Sequence, residues 1–378
     1  MHNSLILFFV VAGALIFDFT NGFHDTANSV APTIATGALR ARTAVLLSAV
    51  LNLVGAYLSL KVAATIASSI VDQTQVTLTV VLAGLAGAIA WNITTWYFSL
   101  PSSSSHALVG GVVGAMWAKA GSSGILWHGI VAKIAVPGII APVIALGVAA
   151  IVTLLIRYVG AKHEGPHRAL ADRVAQISTL GLQSVAHGTN DAQKTMGVIT
   201  LALIANGTLA TGAGAPSWVV LVCALAMGLG TMTGGWRIIR TLGHGLTKLD
   251  NNQGIAAQLS SAIVILSSSH VGLPLSTTFV ATGSVVGTGV ATRGRKVRWS
   301  LASRVIAAWL VTLPAAGLVG ALSYGIARIT TGSWGCLILI AVVSTYLGLI
   351  VMRARRNAVT AATVNDPWKT ELEIAAQA

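Results

Sequence analysis

Two polar motifs occur twice in this 378-residue chain, each time in the same order. Gly22-Phe23-His24-Asp25-Thr26-Ala27-Asn28 is echoed by Ala186-His187-Gly188-Thr189-Asn190-Asp191-Ala192-Gln193-Lys194, and Pro101-Ser102-Ser103-Ser104-Ser105-His106 by Pro274-Leu275-Ser276-Thr277-Thr278-Phe279. Asp25 and Asp191 are 166 residues apart, Pro101 and Pro274 are 173 apart, and the glycines behind the second motif (Gly110, Gly114) return as Gly283 and Gly287. The chain is a duplication, so its fold has to build one unit twice. What repeats is polar, helix-breaking sequence inside apolar surroundings, which is where a membrane protein places a solute site.

A composition of 54% hydrophobic and 9% charged residues, with a mean hydropathy of +0.80, excludes a soluble globular domain, in which about 25% of residues are charged. Apolar runs long enough to cross roughly 30 Å of hydrocarbon lie at 43–70, 78–100, 130–156, 218–235, 305–327 and 334–352, with shorter or interrupted ones at 5–39, 105–119, 174–205, 255–270 and 275–291. The first stretch lacks a basic lead and a cleavage pattern and carries Asp18, so it reads as a retained helix. Cys223 and Cys336 sit in apolar spans, which gives neither a disulfide framework nor a metal spacing. The net charge of +13 comes from Lys and Arg in short loops beside spans, a topology signal with no nucleic-acid character.

Matching loops of the two halves differ in charge. Arg40 and Arg42 in the first half face the uncharged stretch 206–216 in the second; Asp72 faces Arg237, Arg240 and Lys248; Lys119 alone faces Arg293, Arg295, Lys296, Arg298 and Arg304. Positive loops stay cytoplasmic, so loops that match in sequence lie on opposite sides of the membrane. This predicts an all-α, polytopic membrane protein of two inverted-topology repeats with discontinuous helices and about ten to twelve transmembrane segments. Repeat one spans 1–156, a cytoplasmic connector 157–173, repeat two 174–327, an additional helix 328–352 and a cytoplasmic tail 353–378, with the amino end outside, in the cell membrane. Short segments such as 105–119 are candidates for re-entrant hairpin arms.

Three acids lie in apolar context: Asp18, Asp25 and Asp191. Each needs a partner or a cation, because an unpaired buried carboxylate costs several kcal/mol. For Asp25 and Asp191 the reading is a site for a coupling cation, shared with Asn28, Asn190 and carbonyls freed where the helix breaks; the competing reading is a polar clasp between helices. Asp18, seven residues before Asp25 and without a counterpart in repeat two, is a second-layer or proton-handling candidate. The clusters at Ser103, Ser104, Ser105 and at Ser276, Thr277, Thr278 follow prolines and precede glycine-rich helices, so each is a helix amino terminus with free N–H groups, hydroxyl donors and positive dipole character. Two such ends brought together by an inverted repeat form an oxyanion cradle; capping alone would need one hydroxyl per helix. Lys194, in the place of Asn28, is a counter-ion for the substrate or for Asp191. His24, in the place of Asn190, adjoins Asp25 and is a candidate proton carrier, histidine being the side chain whose unperturbed charge change falls nearest neutral pH. His106, matched by Phe279, reads as structural, and His187, His244 and His270 as membrane-end residues.

At these motifs the chain resembles the inorganic phosphate transporter (Pit) family, in particular its bacterial low-affinity branch. The resemblance rests on 21–30 (NGFHDTANSV), 91–106 (WNITTWYFSLPSSSSH), 187–194 (HGTNDAQK) and 272–278 (GLPLSTT), and it runs from about Asp18 to Ala327. It implies a secondary transporter in which Asp25, Asn28, Asn190 and Asp191 hold the coupling cation and Ser103–Ser105 with Ser276–Thr278 hold phosphate. His24 stands where many members have Asn, which points to the proton-coupled branch; Asp25 and Asp191 would be metal ligands if the coupling ion were sodium. Phe279 stands where many have His.

The reading is a symporter of inorganic phosphate, free or as a divalent-metal complex, driven by protons, with no enzymatic activity and no cofactor. Its partners are phosphate, the proton or sodium, and the lipid bilayer, with a homodimer left open and no nucleic acid. Alternatives are a sodium-coupled phosphate or sulfate symporter of the same fold, and an intramembrane lipid-phosphate phosphatase; the latter would want an Arg clamp, and no Arg stands beside either hydroxyl cluster.

Overall fold

A computed structural model describes residues 2–160, 167–292, 297–330 and 333–366. Among the described residues the regular structure is helical, with one isolated bridge between Val71 and Ile125. The first half runs α1 (His2–Ala35), α2 (Ala41–Gly55), α3 (Lys61–Ser69), α4 (Leu78–Tyr97), α5 (Ser104–Ala120) and a short α6 (Trp127–Ile130) that continues through a π turn into α7 (Val136–Gly160). The second runs α8 (Arg168–Ala205), α9 (Ser217–Thr233), α10 (Trp236–Arg240), α11 (Asn251–His270), α12 (Thr277–Val290) and α13 (Trp299–Ala327), followed by α14 (Trp334–Arg356). The same order of long, short and broken helices therefore appears twice, pairing α1 with α8, α4 with α11, α5 with α12 and α7 with α13.

Paired helices run in opposite directions. At one pole Arg173 at the start of α8 donates to the Ala38 carbonyl just past α1 (3.0 Å), and Arg157 near the end of α7 pairs with Asp250 at the start of α11 (2.8 Å). Arg237 there joins the carbonyls of Tyr97 and Ala354, at the ends of α4 and α14 (3.2 and 3.0 Å), and the Arg298 N–H at the start of α13 donates to Leu246. At the other pole Lys61 donates to the His270 carbonyl at the end of α11 (2.9 Å) and Lys119 to that of Gln75, before α4. Starts of one half thus meet ends of the other, which is the inverted arrangement. The halves are also interleaved: α7 packs on α11 and α12, and α13 on α4 and α5.

Among the described residues five helices are long and apolar enough to cross a membrane, Ser4–Ala35, Leu78–Tyr97, Trp127–Gly160, Trp299–Ala327 and Trp334–Arg356, and the pair Ser217–Thr233 and Trp236–Gly245, bent by 61°, makes a sixth if it is one span. The remaining segments are short, as α5 and α12 are at 17 and 14 residues, or carry inward-facing polar residues, as α8 does. The apolar run at 43–70 is two helices, α2 and α3, not one span.

The two Asp motifs do not break their helices, contrary to expectation. α1 and α8 continue for 34 and 38 residues straight through Asp25 and Asp191. The interruptions lie instead at 98–103 and 271–276, before the hydroxyl clusters, and turn α4–α5 and α11–α12 into two hairpins. α1 and α8 even end alike: Gly37 and Gly207 take the left-handed conformation (φ 74° and 75°), and the residue after each donates back five positions, Ala38 to Thr33 and Thr208 to Leu203, a helix end that favours glycine because it lacks a Cβ.

The glycines inside the two Asp motifs are required by packing. A Cβ on Gly22 would fall on the Met227 carbonyl of α9, and one on Gly188 on the Asn52 carbonyl of α2. These contacts let α1 and α8 approach their neighbours backbone to backbone, as small residues do in membranes. Gly188→Val is expected to cost at least about 1–3 kcal/mol through overpacking, read as a lower unfolding temperature in detergent, while Gly147→Ala, with open space around it, leaves that temperature unchanged.

Candidate functional site

The site lies where α1, α8 and the tips of the two hairpins meet, and none of its polar residues reaches the surface. His24, Ser103 and Asn190 are 0% exposed, and Asp25, Asn28, Ser104, Ser105, Asp191, Lys194, Thr277 and Thr278 are at most 4%. Interior carboxylates persist only with partners, and each acid here has them, Asp25 from both halves of the chain and Asp191 from the second.

Asp191 is held by its own helix and by the opposite hairpin. One turn on, the Lys194 ammonium donates to Oδ1; one turn back, His187 Nε2 lies 3.1 Å from Oδ2; and the Thr277 hydroxyl of α12 donates to Oδ2 (2.8 Å). Lys194 also donates to the Leu275 carbonyl (2.8 Å), a backbone acceptor freed by the break between α11 and α12. Asp25 has a different set. His24 Nδ1 lies 2.6 Å from its Oδ1 and the Thr278 hydroxyl donates to the same oxygen at 3.3 Å. The other imidazole nitrogen, Nε2, faces Thr95 Oγ1 at 3.2 Å and Ser102 Oγ at 3.4 Å, and those two hydroxyls bond each other at 2.7 Å. Asn28 Nδ2 donates to Thr277 and Thr278 (3.3 and 3.0 Å), so the first turn of α12 is tied to both acids and to the amide between them.

The hydroxyl clusters divide by role. Ser103 and Ser276 accept the N–H of His106 and Phe279 three residues on (3.1 and 3.3 Å), each capping its own helix. That leaves Ser104, Ser105, Thr277 and Thr278. Ser104 Oγ is buried without a hydrogen-bond partner, and Ser105 reaches across to the Leu275 carbonyl at 3.4 Å. His106 stacks on Phe279 with ring centroids 4.9 Å apart, so the two hairpin tips are in contact and their helix starts converge. The His106 ring also bonds Ser103 Oγ at 2.8 Å, the structural role expected of it.

His187 is where the sequence reading fails: it is not at a membrane end but fully buried, between Asp191 and Asn52 Oδ1 (3.3 Å). Its spacing of four from Asp191 would have revealed it had the motif been taken as continuous helix. His270 and His244 do lie at the poles, the former exposed and the latter 2.9 Å from Asn365. Asn190 turns away from the acids and donates to Ser269 (2.9 Å) and toward Leu273 (3.4 Å) in the second hairpin. Asp18 stands apart, bonded to Thr195 of α8 at 2.9 Å.

One ligand atom each from Asp25, His187 and Asp191 lies within 4.8 Å of the other two. Two carboxylates against one ammonium leave the site one negative charge while its histidines are neutral. Beside the acids are two helix amino termini bearing hydroxyls, of which Ser104 has no hydrogen-bond partner, and such ends favour an anion. The arrangement can therefore take up an oxyanion and a positive charge together, and it disfavours the oxyanion alone.

Similarity to known proteins identifies the family. Residues 21–320 match the phosphate transporter family. A Mycobacterium tuberculosis protein named "Probable low-affinity inorganic phosphate transporter" is 51% identical over 370 residues, covering 97% of this chain and 88% of its own length. A Bacillus subtilis protein of the same name is 42% identical over 322 residues, covering 85% and 96%. The solved structure of a sodium-dependent phosphate transporter shares the fold, with a TM-score of 0.74 over 86% of this chain and 99% of that one, at 22% identity. With four ordered motifs, the inverted fold and these relatives in agreement, the chain belongs to the phosphate transporter family.

Proposed function

We propose that this protein imports inorganic phosphate across the cell membrane by symport with protons, binding the anion between Ser104 and Ser105 of α5 and Thr277 and Thr278 of α12. The observation that carries the reading is the contact of the two hydroxyl-bearing helix starts with each other, and of the α12 start with both buried acids. A phosphate approaching Asp25 and Asp191 is repelled unless a positive charge enters with it, and the imidazole beside Asp25 is the group placed to accept one. Loading the anion without the proton, or the proton without the anion, leaves the interior with uncompensated charge; that is the physical basis for coupling. Phosphate, unlike sulfate, donates a hydrogen bond, and Asp25 or Asp191 would accept it. The pole bearing Arg40, Arg42, Arg157, Arg173, Arg237 and Arg298 faces the cytoplasm in this reading, which puts the amino end outside and the carboxyl end inside.

A second reading keeps the fold and changes the cargo. Two carboxylates and an imidazole form a donor set suited to a divalent cation, so a metal–phosphate complex would place its metal among Asp25, His187 and Asp191. Sodium prefers all-oxygen ligands, which the imidazole does not provide.

In liposomes containing the purified protein, labelled phosphate uptake is expected to follow an inward proton gradient, to collapse with a protonophore and to need no sodium; sodium-dependent, protonophore-insensitive uptake would contradict proton coupling. Asp25→Asn is expected to abolish uptake while leaving abundance intact. Asp191→Asn strands the Lys194 ammonium in the interior at a cost of about 3–5 kcal/mol, so abundance also falls, and the double variant Asp191→Asn/Lys194→Met restores abundance without restoring uptake.

Ser104→Ala with Thr277→Ala is expected to weaken phosphate binding by about 1–3 kcal/mol, the loss of hydrogen bonds to a charged group, measured by calorimetry on protein of normal abundance. Unchanged affinity would reduce the clusters to helix caps.

A further inference from the structure

Asp18 is the interior acid that the substrate site leaves unused. It lies on α1, seven residues and so about 10 Å along the helix before Asp25, and is fully buried. Oδ1 accepts the Thr195 hydroxyl at 2.9 Å, and Oδ2 has no hydrogen-bond partner. Among the described residues no Lys, Arg or His nitrogen pairs with it, whereas Asp25 has His24 and Asp191 has Lys194 and His187. The titratable and charged groups facing it are Asp191 and Lys194 from α8 and Cys223 from α9; α4, also packed on α1, carries no charged residue. The matching place in repeat two is Ser184, so the acid breaks the symmetry of the fold.

A carboxylate in this position has no counter-charge, and an ionised, unpaired carboxylate in a membrane interior is costly. A metal ion would need about six oxygen ligands or a preformed set of soft donors. Here it would find one carboxyl, one threonine hydroxyl and a thiol, which leaves the proton as the fitting ligand. Thr195 adds a route for coupling, since it follows Lys194 directly and lies one turn beyond Asp191 on α8: the Asp18–Thr195 bond joins the two helices that carry the substrate-site acids.

We infer that Asp18 is a second proton-binding carboxyl, separate from the phosphate site, whose proton travels with the substrate and whose charge state is passed to Asp191 and Lys194 through Thr195. The inference rests on the proton-symport reading and deepens it: one proton is taken at the His24–Asp25 pair and another at Asp18.

The test is the proton-to-phosphate ratio, measured in liposomes with a trapped pH dye alongside labelled phosphate. The expected result is that Asp18→Asn lowers the ratio by one while phosphate–phosphate exchange stays near the wild-type rate, and that Asp18→Glu restores the ratio. An unchanged ratio in Asp18→Asn overturns the inference, and so does loss of exchange together with uptake, which would place Asp18 in the substrate site or the scaffold. Wild-type protein that moves phosphate with no proton flux would instead overturn the symport reading itself. Infrared difference spectra of the wild type need no variant to fold: a protonated-carboxyl C=O band that titrates with and without phosphate, and that shifts in Asp18→Glu, is expected, and absence of any such band overturns the inference.

Discussion

Two carboxylates in the middle of an apolar molecule set the terms for everything around them. Asp25 and Asp191 are buried, so each must be neutralised by groups the fold can bring within about 3 Å. On its own helix each finds a nitrogen, His24 or Lys194, and from the second hairpin a hydroxyl, Thr278 or Thr277. That second hairpin can reach both acids only because α1 and α8 lie together and run in opposite directions, and because α11 and α12 are separated by a break that turns the next helix start inward. Gly22 and Gly188 seat α1 and α8 backbone to backbone against α9 and α2.

Much of this was legible in the chain. The duplication was visible in the paired motifs, the inversion in the charge of loops such as 237–248, and the three interior acids in their apolar setting. The convergence of two hydroxyl-bearing helix starts followed from proline, hydroxyl cluster and glycine-rich helix in sequence. Less legible was where the helices break. The polar residues around Asp25 and Asp191 look like interruptions, yet they lie on continuous helices because the polar face is buried against another polar face. His187 was missed for the same reason: its place one turn from Asp191 has meaning only on an unbroken helix. The division of the run at 43–70 into α2 and α3 was hidden because uniform apolarity carries no periodic signal there.

The two halves depart from symmetry around the acids. Where repeat one has the Asn28 amide, repeat two has the Lys194 ammonium, and where repeat two has the Asn190 amide, repeat one has the His24 imidazole. An inverted repeat with identical halves would offer the same environment to both acids. Here Asp191 accepts from the Lys194 ammonium, itself anchored on the Leu275 carbonyl, and from Thr277, with His187 beside it, whereas Asp25 has the His24 imidazole and Thr278 and, among the described residues, no ammonium. Both acids are bonded to the first turn of α12, so in the proposed mechanism that turn would exchange carboxylate acceptors for phosphate oxygens as the anion enters, and the charge on the acids would govern its binding and release.

The most direct measurement is the position of the anion. An experimental structure of the protein with arsenate, located by its anomalous scattering, should show one peak within about 3 Å of Ser104, Ser105, Thr277 and Thr278, between the starts of α5 and α12. A peak only at the surface cleft lined by Arg42, Trp236 and Thr360, with the hairpin tips unoccupied, would contradict the account.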